Sequence, residues 1–484
     1  MSVNIKLNDM NYRYEVYQIV SLFHSLEEIT FSKIEEIKLS KIEKDFCIDI
    51  EERFIEISGK DFTKNFEFNE EDSKKNQIKR YIYLYFSKLY STELPWGTLI
   101  GIRPSKIALN LVKQGYSEEE IIEYFNHKYL VKENKVKLCI KVAKHEKNFI
   151  NTDKNNISIY LGMPFCPTRC LYCSFASNPI SGNKSLVEPY INALIKEIKE
   201  LSHFIKLKNL NINTIYFGGG TPTAVGDSDF EYVMKNIYEN LIKDFKVTEF
   251  TVECGRPDSI TKNKLQTMKS YLVDRISINP QTMNDNTLKI IGRNHSVEDV
   301  IDKFNMARNL GFNNINMDII LGLPGEKSDD VNHTLDVIKD IAPESITVHG
   351  LSVKRASKLY EDLKLNKNYE LANQDEITKM YDGAKNIAED LNMEPYYMYR
   401  QKNMPCNMEN IGYSVLGKEC IYNMQIIEER QTIIALGADA VSKVVFLDEN
   451  RIERFANIKD VGEYIKRIDE VIEKKKALLE TLYK

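Results

Sequence analysis

Ile157-Ser-Ile-Tyr160-Leu-Gly-Met163 is a short run of β-branched and apolar residues, and two residues after it comes Cys166-Pro-Thr-Arg-Cys170-Leu-Tyr-Cys173. The run predicts a buried strand, so the three thiols stand on the loop leaving its C-terminal end. Further strand-like runs follow at Thr214–Phe217, Glu249–Glu253, Asp274–Asn279, Asn314–Ile320 and Ser345–His349. Between them lie helical periodicities near 186–206, 228–243, 259–270, 296–310 and 328–341. Strand and helix alternating in this way imply right-handed parallel crossovers, and six such units predict an α/β fold, an open partial (β/α)6 barrel. In that architecture the chemistry sits where strands end and loops begin.

Working outward, residues 1–95 predict an α+β domain, with strands at Asn4–Leu7, Phe46–Ile50 and Phe54–Ser58 and helices near 12–24 and 70–90. Pro95-Trp96-Gly97 is a turn signal, and 96–150 reads as a helical connector with Pro104 near a helix start. The barrel spans 151–370, and a mixed region, 371–484, is expected to cover its mouth.

At 484 residues and 43% apolar content the chain can bury more than one core. Its 66 basic and 71 acidic residues leave a net charge of -5, so no global field points to nucleic acid or an anionic membrane. The opening MSVNIKLNDMNYRYE carries neither a secretory nor a transit signature. The longest apolar runs, as at Thr432–Leu436, are too short to cross a membrane. A cytoplasmic protein is expected. Three of the eight cysteines crowd into eight residues, which in a reducing compartment indicates metal before disulfide.

Three thiolates spaced C-x3-C-x2-C can bind three irons of a [4Fe-4S] cluster through Cys166, Cys170 and Cys173 and leave the fourth iron open to a chelating ligand. A structural zinc site would need a matching second pair, which no nearby segment supplies. A nucleophilic cysteine would not account for three thiols.

The spacing resembles the signature of the radical S-adenosylmethionine (SAM) superfamily, which implies that the open iron chelates the amino and carboxylate groups of SAM. Tyr172 occupies the place where that superfamily often sets an aromatic against the adenine. Phe217-Gly-Gly-Gly220-Thr221-Pro-Thr223 resembles the superfamily's glycine motif at the SAM amine, implicating Gly219, Gly220 and Thr221. Read alone it is an ordinary strand-to-helix turn whose glycines allow close backbone approach. In this form it is similar to the oxygen-independent coproporphyrinogen III oxidase class.

Glu253, Gln281, Arg293 and Asp318 all fall at or just beyond strand ends, where carboxylates, amides and guanidinium groups suit a nucleoside and an amino acid. The class resemblance implies that they contact one or two SAM molecules, as do Tyr160, Ser352 and Val441. Asn316-Met-Asp-Ile-Ile-Leu-Gly-Leu-Pro-Gly325 resembles a class segment as well. Gly162 departs from the commoner YxHIPFC form, and Ser174-Phe175 replaces a cysteine after the cluster motif. With the N-terminal extension and Tyr396-Tyr-Met-Tyr-Arg400-Gln-Lys402-Asn403, these features resemble the HemZ-type coproporphyrinogen dehydrogenases.

That resemblance implies oxidative decarboxylation of two propionates of coproporphyrinogen III to vinyl groups, giving protoporphyrinogen IX without oxygen. SAM cleavage would yield methionine and a radical that abstracts hydrogen from a propionate β-carbon. The implied partners are the tetrapyrrole and an electron donor such as flavodoxin or ferredoxin, with Tyr160 and Arg400 as catalytic candidates. A multiply anionic substrate calls for cations, for which Arg400, Lys402 and Lys443 are available; an exposed solvated face is the plainer reading of all three. Asp439 is an unexpected charge in Leu436-Gly-Ala-Asp-Ala-Val441, either a pyrrole acceptor or a turn residue. Two rival functions stay open: a haem-directed radical SAM methyltransferase, and a non-enzymatic haem chaperone with His295 or His349 as a haem ligand.

Overall fold

The structure is a computed structural model and describes residues 2–24, 28–34, 45–101, 103–175, 177–365, 367–401 and 407–483. It divides into two compact units, Met1–Lys144 with Tyr399–Glu409, and His145–Met398 with Asn410–Lys484.

In the first unit, strands β1 (Ser2–Leu7), β2 (Glu28–Ser32), β3 (Asp45–Ile50), β4 (Phe54–Ser58) and β5 (Thr63–Glu67) form a sheet in the order β2-β1-β3-β4-β5. Helices Arg13–Phe23 and Lys74–Leu89 bury Val16, Ile19, Val20, Ile78, Ile82 and Phe86 against Val3, Ile5, Leu7 and Ile48. β2 and β5 lie outside the sequence expectation. Both are edge strands; TKNFE carries a single apolar residue, and EITFS alternates but over five residues only. Helices Pro104–Lys113, Glu118–Tyr129 and Glu133–Glu146 follow. Pro104 starts the first, where its missing N–H is not needed. Ser117 and Glu120 cap the second reciprocally.

The second unit is built on parallel strands β6 (Asn156–Met163), β9 (Asn211–Gly219), β10 (Glu249–Gly255), β11 (Arg275–Ile278), β12 (Ile315–Leu321) and β13 (Ser345–Gly350). The short strands β7 (Phe165–Cys166) and β8 (Asn178–Pro179) pair with each other around the cysteine loop. Helices Ile180–Leu207, Asp227–Ile237, Lys262–Ser270, Val297–Asn309 and Ser328–Ile341 complete the crossovers. The helix at Val297 starts where it does because Ser296 and Asp299 satisfy each other's backbone N–H groups.

The segment 371–484 does more than cover a mouth. It supplies β14 (Glu394–Tyr399), β15 (Asn410–Ser414), β16 (Thr432–Leu436), β17 (Val441–Phe446) and β18 (Arg451–Ala456). These extend the barrel sheet on both sides, in the order β14-β15-β13-β12-β11-β10-β9-β6-β16-β17-β18. β16 runs parallel to β6 while β15 runs antiparallel to β13, so the sheet is open. Among the described residues no helix is long and apolar enough to cross a membrane.

Candidate functional site

The cysteine loop is pinned at several points. Asn178 N–H donates to the Pro164 carbonyl at 2.9 Å, Leu171 N–H to Ile291 at 3.0 Å, and the Thr168 hydroxyl to Gly292 at 3.0 Å. Cys173 N–H closes a turn onto Cys170 at 3.1 Å. All three thiols are free; Cys166 and Cys170 are buried and Cys173 is half-buried. Burial, with the neighbouring Cys173 and Cys170 thiols adding to it, pushes the Cys166 thiol up to about 12. Bound cations reverse that preference, because a coordinating thiol gives up its proton.

Among the described residues no three His, Cys, Asp or Glu side chains converge as one shared metal ion requires. A four-iron cluster makes no such demand, since each thiolate binds its own iron. Three free thiols on one short loop fit such a cluster.

The glycines beside the loop are sterically required. A Cβ on Gly220 would stand 2.7 Å from the Phe165 carbonyl and 2.9 Å from Cys166 Sγ, and one on Gly219, at φ +105°, 2.9 Å from the Met163 backbone. Gly220 and Thr221 donate backbone N–H groups to Met163 and Phe165 at 2.6 and 2.8 Å, stitching the end of β9 to the loop. The Thr221 hydroxyl lies 3.6 Å from Cys166 Sγ.

Around this edge stand the other expected groups of the second unit. Tyr160 stacks with Tyr216 and Tyr422, ring centroids 6.2 Å from each, and those two rings are 4.7 Å apart. Glu253 receives the Tyr216 hydroxyl at 3.4 Å. Burial and the Asp318 charge push its carboxyl up to about 8.

Asp318 moves the opposite way. Burial raises it, but hydrogen bonds from His349, Asn316 and Thr347 outweigh burial and hold the carboxyl below its usual value. Asn316 Nδ2 donates to Asp318 Oδ1 at 2.6 Å, and His349 Nε2 lies 3.8 Å from Oδ2.

Gln281 sits at φ +68°, a left-handed conformation unusual for a side-chain-bearing residue. It is stitched to β12 through Gln281 N–H to Asp318 O at 3.0 Å and Ile320 N–H to Gln281 O at 2.9 Å. Arg293 donates to the Asn279 carbonyl at 2.5 Å and to the Tyr172 hydroxyl at 3.3 Å. Gln281 Oε1, Arg293 Nε and Ser352 Oγ are buried without a partner among the described residues. Leaving such groups unmade is expensive, so they suit a polar ligand carrying amine, carboxylate and hydroxyl groups. SAM is such a ligand. Val441, 43% exposed, opens β17 just after the Gly437–Ala440 turn, where Asp439 takes φ +61° and donates its N–H to Ile458.

Arg400 belongs to the other unit. It is buried in the first unit, where it donates to the Leu99 carbonyl at 2.6 Å and to Asn407, with its guanidinium 4.8 Å from the Trp96 ring centroid. Two of its guanidinium nitrogens thus serve local structure, while its Nε is buried without a partner among the described residues. Lys443 pairs with Glu429 at 3.1 Å, and Lys402 lies outside the described residues.

Four neighbours of the site were not singled out from sequence. Arg256 Nη1 donates to the Thr168 hydroxyl at 2.6 Å and lies 3.9 Å from Cys170 Sγ. Its position just after the end of β10 follows the same strand-end rule that marks Glu253. Tyr216, Tyr422 and Asn316 face the barrel interior, and only tertiary pairing reveals them.

A family model described as the radical SAM superfamily matches residues 160–338. Among solved structures, the coproporphyrinogen III oxidase HemN from Escherichia coli matches with a TM-score of 0.53 and 19% identity, covering 67% of this chain and 72% of that one. The fold and the cysteine loop thus define a radical SAM protein, a class that uses a [4Fe-4S] cluster and SAM. The oxygen-independent coproporphyrinogen-III oxidase-like protein HemZ of Bacillus subtilis is 38% identical over 442 residues, 90% of this chain and 86% of its own length. The heme chaperone HemW of the same organism is 32% identical over 225 residues, 46% of this chain and 58% of its own length. Within the superfamily, the chain belongs to the HemZ-type family of oxygen-independent coproporphyrinogen-III oxidase-like proteins.

Proposed function

We propose that this chain is an oxygen-independent coproporphyrinogen III oxidase that converts two propionates of coproporphyrinogen III to vinyl groups. The observation that carries the reading is the set of partly unsatisfied polar groups, Gln281, Arg293 and Ser352, placed with Glu253 and Asp318 along one end of the barrel strands beside three free thiols. Delivery of a tetrapyrrole alone would not need such a set.

Cys166, Cys170 and Cys173 would hold the cluster, and the cluster with SAM would supply reductive SAM cleavage and hydrogen-atom abstraction; each propionate then loses CO2 and passes one further electron to a one-electron acceptor. The rest is the work of this chain. Near neutral pH Glu253 is largely protonated, so its carboxyl both donates to and accepts from ribose hydroxyls. Asp318, ionised, offers a fixed acceptor whose orientation Asn316 and His349 set. Arg293, held by Asn279 and Tyr172, presents positive charge to a carboxylate. The Tyr160, Tyr216 and Tyr422 rings stack on one another beside Glu253.

The second reading, a haem chaperone, is favoured by the 32% identity to HemW over the barrel-sized stretch. One anaerobic experiment separates the two. Reconstituted protein is given SAM and reductant with coproporphyrinogen III, with haem, or with no tetrapyrrole, and the products are weighed by mass spectrometry. Release of two CO2 and appearance of two vinyl groups is expected. Stoichiometric haem binding without turnover, or methyl transfer to haem, overturns the proposal.

A further inference from the structure

The outer side of the cysteine loop gathers basic side chains. Leu359 N–H donates to the Leu171 carbonyl at 2.9 Å, and the Arg169 guanidinium to the Ala356 carbonyl, so residues 351–360 lie directly against the loop. Stretches 164–175 and 351–360 together carry four basic residues, Arg169, Lys354, Arg355 and Lys358, and no acidic one. This stands out in a chain whose net charge is -5. Arg169, Arg355 and Lys358 are exposed. The acids that follow are Glu361, which is exposed, and Asp362, which is taken up by Lys367 at 2.8 Å and Tyr369 at 2.9 Å.

An apolar centre accompanies the charge. Phe175, two residues past Cys173, is 67% exposed, and Lys354 Nζ sits 5.5 Å from its ring centroid. The ring stands in water beside a half-buried thiol of the loop, where a docked partner would bury it. A small apolar patch rimmed by one sign of charge is the form of a transient protein docking site, in which charge steers the encounter and contact area stays small.

From this surface we infer that an acidic one-electron carrier protein, of the flavodoxin or ferredoxin kind, docks on the Phe175 face and delivers its electron through the Cys173 side of the loop. The inference rests on the reading that this chain reduces a cluster in order to cleave SAM. One electron leaves the carrier, which is oxidised, and enters the cluster, which is reduced; no bond or proton moves. The anionic tetrapyrrole is a less suitable occupant, since the charges lie on exposed side chains and a substrate radical needs a site closed to water.

The test uses the full chain with its cluster reconstituted, mixed anaerobically with reduced flavodoxin, and follows bleaching of the cluster absorbance without substrate. Arg355→Glu combined with Lys358→Glu should slow reduction by flavodoxin about tenfold or more, and Phe175→Ala should slow it by a smaller factor. Both variants should accept electrons from photoreduced 5-deazariboflavin, a small uncharged reductant, at the unaltered rate and with unaltered iron content. Rising ionic strength should slow the unaltered protein with flavodoxin and spare the double variant. Unchanged flavodoxin rates in both variants overturn the docking site, as does an equal loss with the small reductant. A fall in coproporphyrinogen affinity at unchanged flavodoxin rates also overturns it and assigns the charges to substrate. Because no tetrapyrrole enters the reduction assay, failure of the proposed function leaves its outcome readable.

Discussion

Two glutamates of the second unit, one buried and one half-buried, are treated in opposite ways. Glu197, fully buried, accepts from Gly437 N–H at 2.8 Å, Asn457 at 3.1 Å, the Tyr464 hydroxyl at 2.7 Å and Lys475 at 2.5 Å. It ties helix Ile180–Leu207 to helix Ile468–Leu482 and to the turn after β16. Glu253, at the reactive end of β10, has a single side-chain partner at 3.4 Å and a carboxyl lifted to about 8. A carboxylate that serves the fold is saturated, whereas one left underused at a strand end is held ready for a ligand.

The contrast is sharpest at the thiols. Cys166→Ala, Cys170→Ala and Cys173→Ala should each abolish reductive SAM cleavage, measured as methionine release. Alanine at Cys47, Cys139, Cys254 or Cys420, which lie outside the loop, should leave the iron content intact; loss of iron from one of these would show a second metal site.

Glu197→Ala strands the buried Lys475 ammonium and should lower stability by roughly 3–5 kcal/mol in a denaturant titration. Glu253→Gln should hold or raise that midpoint at neutral pH while weakening SAM binding. Equal stability losses in the two variants would dissolve the distinction between them.

Arg400→Ala removes three hydrogen bonds in the first unit, so a destabilisation of roughly 2–4 kcal/mol is expected, with SAM cleavage by the surviving folded protein unchanged. A variant of normal stability that has lost tetrapyrrole turnover would return Arg400 to the substrate.

A pH series probes Glu253 itself. An unfolded chain releases this proton near 4.5 and the fold retains it to about 8, so the folded state binds more protons across that window. Glu253 therefore makes the SAM-free protein less stable as pH rises from about 4.5 to about 8, with no further change above. Relative to wild type, Glu253→Gln should gain melting temperature over that interval; a constant difference would show an ordinary carboxyl. The smallest effect is expected at Gln281, where Gln281→Gly relieves a left-handed backbone worth about 1 kcal/mol and should hold or raise Tm while weakening SAM binding.

The barrel strands were legible because each is a compact β-branched run bounded by helical periodicity, and their ends marked Glu253, Gln281 and Asp318. Edge strands β2 and β5 were not, since β2 offers only five alternating residues and β5 a single apolar one. The seventh parallel strand, Thr432–Leu436, reads as a strand, but nothing local says that it pairs with β6. Nothing local shows that Arg400 meets Leu99 and Trp96, which lie about three hundred residues away in sequence. The Glu197–Lys475 pair, 278 residues apart, was invisible for the same reason.

The central claim is that SAM binds the cluster held by Cys166, Cys170 and Cys173. The most direct measurement is the electron paramagnetic resonance spectrum of the reduced, reconstituted protein before and after SAM is added. The account predicts a four-iron signal that SAM reshapes, with the change lost in Arg293→Ala at unaltered iron content. A four-iron signal indifferent to saturating SAM would contradict it.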